Sequence, residues 1–377
     1  MGAIGNWLSF LAGLSRAAAA YRVPFASALF NALQLYATAA FSRKEILGYA
    51  LFVPELKARM PVLISKERSL AKLDALNPPA RQHVTQNKDQ FALACRRHRL
   101  PVPATLGWTR QGEPYDAEGK RIDGPKAWSA YLSAELPEHF IAKDVAGAYG
   151  SGFRAFRRGG ETFVDADLGS KLDAAAMAAL LSGAGSTADV IIQERLFDSA
   201  SLSALCGRRG LQTARINTLL HRDGRVSILF FMIKVLAGRT LTDNFSMGTT
   251  GNLIAFGDVE TGVLRGAVTL HPCGSGMTTI DRHPITAVPF DGFQLPWWPE
   301  AIALVKAAQR CFRELSTLGW DVALTDDGPK LIEANARWDP PCYAPFLMSV
   351  ENWQRIFGDD RAPAEAKPGQ QSRESQH

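Results

Sequence analysis

Gly319-Trp320-Asp321-Val322-Ala323-Leu324-Thr325-Asp326-Asp327-Gly328-Pro329-Lys330-Leu331-Ile332-Glu333-Ala334-Asn335 reads as a β-hairpin: an apolar run, a turn, then a second apolar run. With Asp326, Asp327 and Gly328 as the loop, antiparallel pairing sets 325 against 329, 323 against 331 and 321 against 333. Asp321 then faces Glu333, and period-2 alternation puts Asn335 on the same side as Glu333. Two carboxylates about 5 Å apart on one sheet face repel each other. A cation between them removes the difficulty. Two carboxylates and an amide oxygen suit a hard divalent ion such as Mg2+, which keeps waters or binds substrate phosphates. The plain alternative is a solvated hairpin whose acids face water, and the choice depends on what lies upstream.

Composition narrows the class. A chain of 377 residues has room for two or three domains, and 46% apolar with 21% charged residues describes a globular protein. The net charge of +5 is spread along the chain, so no nucleic-acid partner is expected. Cys95, Cys206, Cys273, Cys311 and Cys342 form no CxxC pair, which argues against a disulfide framework or a zinc site and fits a reducing cytoplasm. No apolar run reaches the roughly 20 residues of a membrane span. The stretch from Leu8 to Ala20 is broken by Arg16 and lacks a basic start, so a secretory signal is not expected.

Four segments follow from pattern. Residues 1–85 read as Ala/Leu-rich helices broken at Pro24 and Pro54, either packed on the main body or facing a membrane or partner. Residues 86–196 alternate helices with short strands around a glycine-rich loop. Residues 197–358 hold a second long hairpin (213–220 and 226–234), one strong helix (298–316) and the organising hairpin. Residues 359–377 lack an apolar face and read as a disordered tail.

Several groups carry potential chemistry. Gly147, Gly150, Ser151 and Gly152 lie in a GxxGxG loop after the strand bearing Lys143. Glycines let backbone N–H groups approach phosphate oxygens, and a lysine adds a point charge. The loop leads to a strand pair instead of opening a helix, so it is neither a Walker loop nor a dinucleotide fingerprint. Gln193, Glu194, Arg195 and Leu196 end an apolar strand and suit a hinge that reads an adenine edge. Arg215 and Lys234 are cations within apolar strands and need an anionic partner unless they face water. Lys88, at a helix start, is placed to reach a phosphate, and Arg337 lies two residues past Asn335.

The order of these features resembles the ATP-grasp superfamily over residues 85–345. The closest likeness is to its sugar-transfer associated, hexapeptide-transferase-like branch, which is related to α-L-glutamate ligases. The residues carrying it are Asn87-Lys88, Ile191 to Leu196, Arg215-Ile216-Asn217-Thr218, Asp243-Asn244-Phe245, His271-Pro272 and the 319–335 block. Asp144-Val145 departs from the usual Lys-Pro, and Ser246 to Gly251 replace the usual double glycine.

The resemblance implies an α+β fold in which two lobes with antiparallel sheets grip ATP and Mg2+. It gives Lys88, Lys143 and the loop at 147–152 to the phosphates, 193–196 to adenine, and Asn244 to the nucleotide site. Asp321, Glu333 and Asn335 become magnesium ligands. The expected reaction joins a small-molecule carboxylate to an amine through an acylphosphate, with Arg215, Lys234 and Arg337 as catalytic cations. A kinase acting on a hydroxyl and a non-catalytic nucleotide-binding module of a surface-assembly system are the alternatives. A homodimer is left open.

Overall fold

The computed structural model describes residues 3–146, 152–182 and 189–358. Two antiparallel sheets dominate it. The first comprises β1 (Thr105–Arg110), β2 (Glu113–Tyr115), β3 (His139–Asp144), β4 (Arg154–Gly159), β5 (Thr162–Asp165), β6 (Lys171–Leu172) and β7 (Val190–Glu194), in the order β2-β1-β7-β3-β4-β5-β6. Alternation divides its faces. Phe140, Ala142, Phe156, Phe163 and Ile192 pack against Trp128, Leu132, Met177 and Leu181 from two helices, Pro125–Glu135 and Ala174–Leu181. Ile141, Lys143, Ile191 and Gln193 fall on the other face.

The second sheet comprises β8 (Thr213–Leu220), β9 (Val226–Val235), β10 (Leu253–Gly257), β11 (Leu264–Leu270), β12 (Met277–Ile280), β13 (Thr317–Thr325) and β14 (Gly328–Asn335), in the order β12-β11-β10-β9-β8-β13-β14. One face packs on the helix Trp298–Cys311, where Ala301, Val305 and Ala308 meet Ile216, Phe231, Ile233, Trp320 and Val322. On the opposite face Leu219, Phe230, Met232, Ile254 and Val268 join Leu14, Ala28, Leu35, Phe41, Ile46 and Phe52 of the N-terminal helical region. The helical region therefore belongs to the core and walls one end of the face that also bears Arg215 and Lys234. The α+β architecture is the one expected.

The hairpin differs in detail from its sequence reading. Its loop is Asp326-Asp327 alone, with Thr325 paired to Gly328, which takes φ +106°. Leu324 faces Pro329, Ala323 faces Lys330 and Val322 faces Leu331. A β-bulge then shifts the register by one residue between Asp321 and Val322, so Asp321 still faces Glu333. The shorter loop and the bulge cancel, and the key pair survives for a different reason.

Candidate functional site

β8, β13 and β14 lie side by side, so Arg215, Asp321 and Glu333 form one row across the sheet. Asp321 is 4% exposed. Arg215 grips it by two N–H groups: Nε donates to Oδ1, and Nη2 donates to Oδ2 at 2.9 Å. Lys234 Nζ on β9 donates to the same Oδ2 at 3.0 Å. Burial pushes the Asp321 carboxyl up, but the charges of Arg215 and Lys234 outweigh it and hold the group below the usual carboxylate range. Burial likewise works against the charged forms of both partners. The acids prevail: Asp321 raises Arg215, while Asp243 and Asp321 raise Lys234. Two protein cations thus balance Asp321 and relieve the repulsion the facing acids would otherwise suffer.

Glu333 has different company. Asn335 Nδ2 donates to its Oε1 at 3.2 Å and lies 3.4 Å from the Gly319 carbonyl. Lys143 of the first sheet and Lys88, whose helix packs through Phe91 and Cys95 on the second sheet, both feel the Glu333 charge. Burial pushes the Lys143 ammonium down to about 8, with Glu333 opposing and Lys88 adding to the drop. Burial also lowers Lys88, against Glu333 and Asp144. Asn87 caps the helix Lys88–Arg97, accepting from the N–H groups of Asp89 and Gln90, and this fixes where Lys88 emerges. Lys88 Nζ donates to the Asp144 carbonyl at 2.9 Å.

Gly147, Gly150 and Ser151 lie outside the described residues. Gly152 does not. It takes φ +68°, and a Cβ there would come within 2.4 Å of the Asp144 carboxylate. A side chain at this φ is strained, and the Asp144 carboxylate would have to move to admit one.

The strand end at 193–196 lies where the two lobes meet. Gln193 is buried, and its Oε1 has no hydrogen-bond partner among the described residues. Alternation puts it on the face that carries Lys143. Glu194 accepts from the Ala104 N–H at 2.9 Å and from Lys330 Nζ at 2.8 Å, which ties β7 to β14. Glu194, Arg195, Leu196 and Lys330 also line a cavity of about 500 Å³ beside the Asp326-Asp327 turn.

Two expected residues have partners of their own. Asn244 accepts from the Ser246 N–H at 3.3 Å through its side chain, within its own loop. Arg337 pairs with Asp74 at 3.0 Å and is half-exposed. Three groups in the site were missed as functional candidates by sequence reasoning. Asp243, quoted only within a motif, accepts from the Thr213 N–H and hydroxyl and acts on Lys234. Lys330 closes the lobe junction, and Tyr343 comes close enough to feel the Arg215 charge. A cation three positions before Glu333 on the same strand was the available signal for Lys330.

Among the described residues no three His, Cys, Asp or Glu side chains group as a metal cage. A nucleotide-borne magnesium ion asks less of the protein, since one or two carboxylates complete a shell made mostly of phosphates and waters. Glu333 and Asn335, adjacent on an edge strand, supply donors of that kind. The unpartnered Gln193 oxygen is an acceptor of the sort an amino-purine would fill.

Solved structures resemble the chain in part. A biotin carboxylase from Campylobacter jejuni shares 10% identity at a TM-score of 0.44, covering 79% of this chain and 53% of that one. D-alanyl-alanine synthetase A from Vibrio cholerae shares 11% at 0.41, with 74% and 66% covered. An ADP complex of the N5-carboxyaminoimidazole ribonucleotide synthetase PurK shares 14% at 0.37, with 68% and 45% covered. The chain thus spans about half to two thirds of the length of these proteins. No curated protein matches it. The sequence pattern of the sugar-transfer associated ATP-grasp family runs through residues 68–344, a span that takes in both sheets and every charged group described above, and the chain belongs to that family.

Proposed function

We propose that the chain is an ATP-dependent ligase that joins a carboxylate to an amine through an acylphosphate. The observation carrying this reading is the row of charges where the two sheets meet: Asp321 neutralised by Arg215 and Lys234, beside Glu333, whose charge acts on Lys88 and Lys143. Phosphoryl transfer needs positioning and charge neutralisation, and this is what the row provides.

Lys88 and Lys143 bind the nucleotide phosphates together with the loop at 147–152, and Gln193 to Leu196 hold the adenine. Glu333 and Asn335 would hold the magnesium ion, which when bound neutralises phosphate charge, whereas Asp321, expected as a third ligand, spends both oxygens on Arg215 and Lys234. A substrate carboxylate oxygen attacks the γ-phosphorus, the bond to the β-phosphate oxygen breaks, and ADP leaves. Lys143 offsets the charge of the transferring group. Arg215 spends two of its five N–H donors on Asp321, so three remain for an acylphosphate or carboxylate oxygen. The amine nitrogen then attacks the acyl carbon, the bond to the phosphate oxygen breaks, and the amine proton goes to the departing phosphate. No side-chain nucleophile is needed.

The test is coupled ADP release across panels of carboxylates and amines. The expected result is turnover only when one of each is present, with one phosphate per amide. Transfer of phosphate to a hydroxyl acceptor would overturn the ligase reading.

A further inference from the structure

The N-terminal helices Ala3–Ala20 and Phe25–Thr38 present apolar surface in two directions. In the second helix Ala28, Ala32 and Leu35 face the core. On the outside, Ala26, Phe30, Leu33 and Ala37 recur at helical spacing, with Phe30 69% exposed. Leu8 of the first helix is 63% exposed, and Phe25 and Tyr36 of the second are exposed as well. The helix Phe25–Thr38 has no charged residue; Ser27, Asn31, Gln34 and Thr38 run along one side, and the exposed apolar row beside them is a patch of the kind that marks an interaction surface.

Charge indicates what covers it. The first acidic residue of the chain is Glu45. Its carboxylate is turned inward, accepting from the N–H groups of Ser42 at 2.9 Å and Lys66 at 2.6 Å. Arg16, Arg22 and Lys44 are exposed. A second copy docked through the same segment would add cations and no exposed acid to pair with them. An anionic lipid surface complements both the apolar row and the cations.

We infer that the outer face of these two helices lies on anionic membranes, with Phe30, Leu33 and Leu8 entering the headgroup boundary and Arg16 and Arg22 meeting lipid phosphates. The inference is independent of the ligase reading.

The test is cosedimentation of the full chain with vesicles of phosphatidylcholine, with and without phosphatidylglycerol, alongside light scattering of the free protein. The chain is expected to pellet with the anionic vesicles only. Phe30→Asp/Leu33→Asp and, separately, Arg16→Glu/Arg22→Glu are expected to weaken that binding by more than about tenfold. Both pairs sit on exposed surface, so thermal melting should stay unchanged, and the charge pair serves if the apolar pair misfolds. Absence of binding, equal binding to both vesicle types, or a solution dimer that Phe30→Asp breaks would each overturn the inference.

Discussion

The two strands of the organising hairpin share a turn and little else. Every residue of β13 is buried, whereas in β14 at the sheet edge only Gly328, Leu331 and Ala334 are buried and the rest are half-buried. Asp321 on the inner strand has its charge consumed by protein cations, and Glu333 on the outer strand shares an amide and acts on Lys88 and Lys143. A pair of acids that looks equivalent in sequence thus divides into one that holds the sheet together and one that faces the cleft. The lesson is that neighbouring strands, not the residue type, decide which acid is available for a ligand.

The largest expected effect comes from breaking the inner acid. Asp321→Ala leaves Arg215 and Lys234 buried without their partner, and the loss of stability should reach about 3–5 kcal/mol, read by denaturant melts. The same pairing gives a pH dependence. Arg215 and Lys234 hold the folded-state carboxyl below its unfolded value, so this stabilisation is present above the unfolded pKa and is lost as pH falls below it. Asp321→Ala should flatten the acid limb of the stability curve.

Glu333→Gln tests the outer acid. Turnover with magnesium and ATP should fall by about 10- to 100-fold, while stability moves by less than about 1 kcal/mol. Equal destabilisation by both substitutions would erase the contrast. Gly152→Ala sharpens it from the other lobe: the strained φ and the Asp144 clash should cost about 1–3 kcal/mol and weaken nucleotide binding together.

A pH effect on binding should be smaller. Lys143 titrates at about 8 in the free protein, so affinity for nucleotide should decline as pH rises through that value. Lys143→Arg should remove the decline, because a guanidinium stays charged. Smallest of all, Lys330→Ala should cost under about 1 kcal/mol, since the pair with Glu194 is partly solvated.

Much of this was legible in the chain. Alternation and turn residues gave the hairpin and the facing acids, though the loop is one residue shorter than it reads and a bulge restores the register. The two isolated strand cations, Arg215 and Lys234, were recognisable as needing anions. That their anion is Asp321 was not legible, because 106 and 87 residues separate the partners and only the strand order brings them together. The same limit hid the Lys330–Glu194 bridge between lobes. Arg337 read as a clamp from its position after Asn335, yet its nearest acid, Asp74, comes from the helix Lys66–Leu76. The N-terminal helices were visible as helices, but their place in the main core depends on which sheet face lacks other cover.

The central claim is that Glu333 holds a divalent ion brought by the nucleotide. Titration calorimetry of ATP into the wild type and Glu333→Gln, each with and without magnesium, tests it directly. Wild-type binding should tighten with magnesium, and Glu333→Gln should lose that gain by about tenfold or more at unchanged melting temperature. A wild type indifferent to magnesium, or a variant that keeps the full gain, would contradict the account.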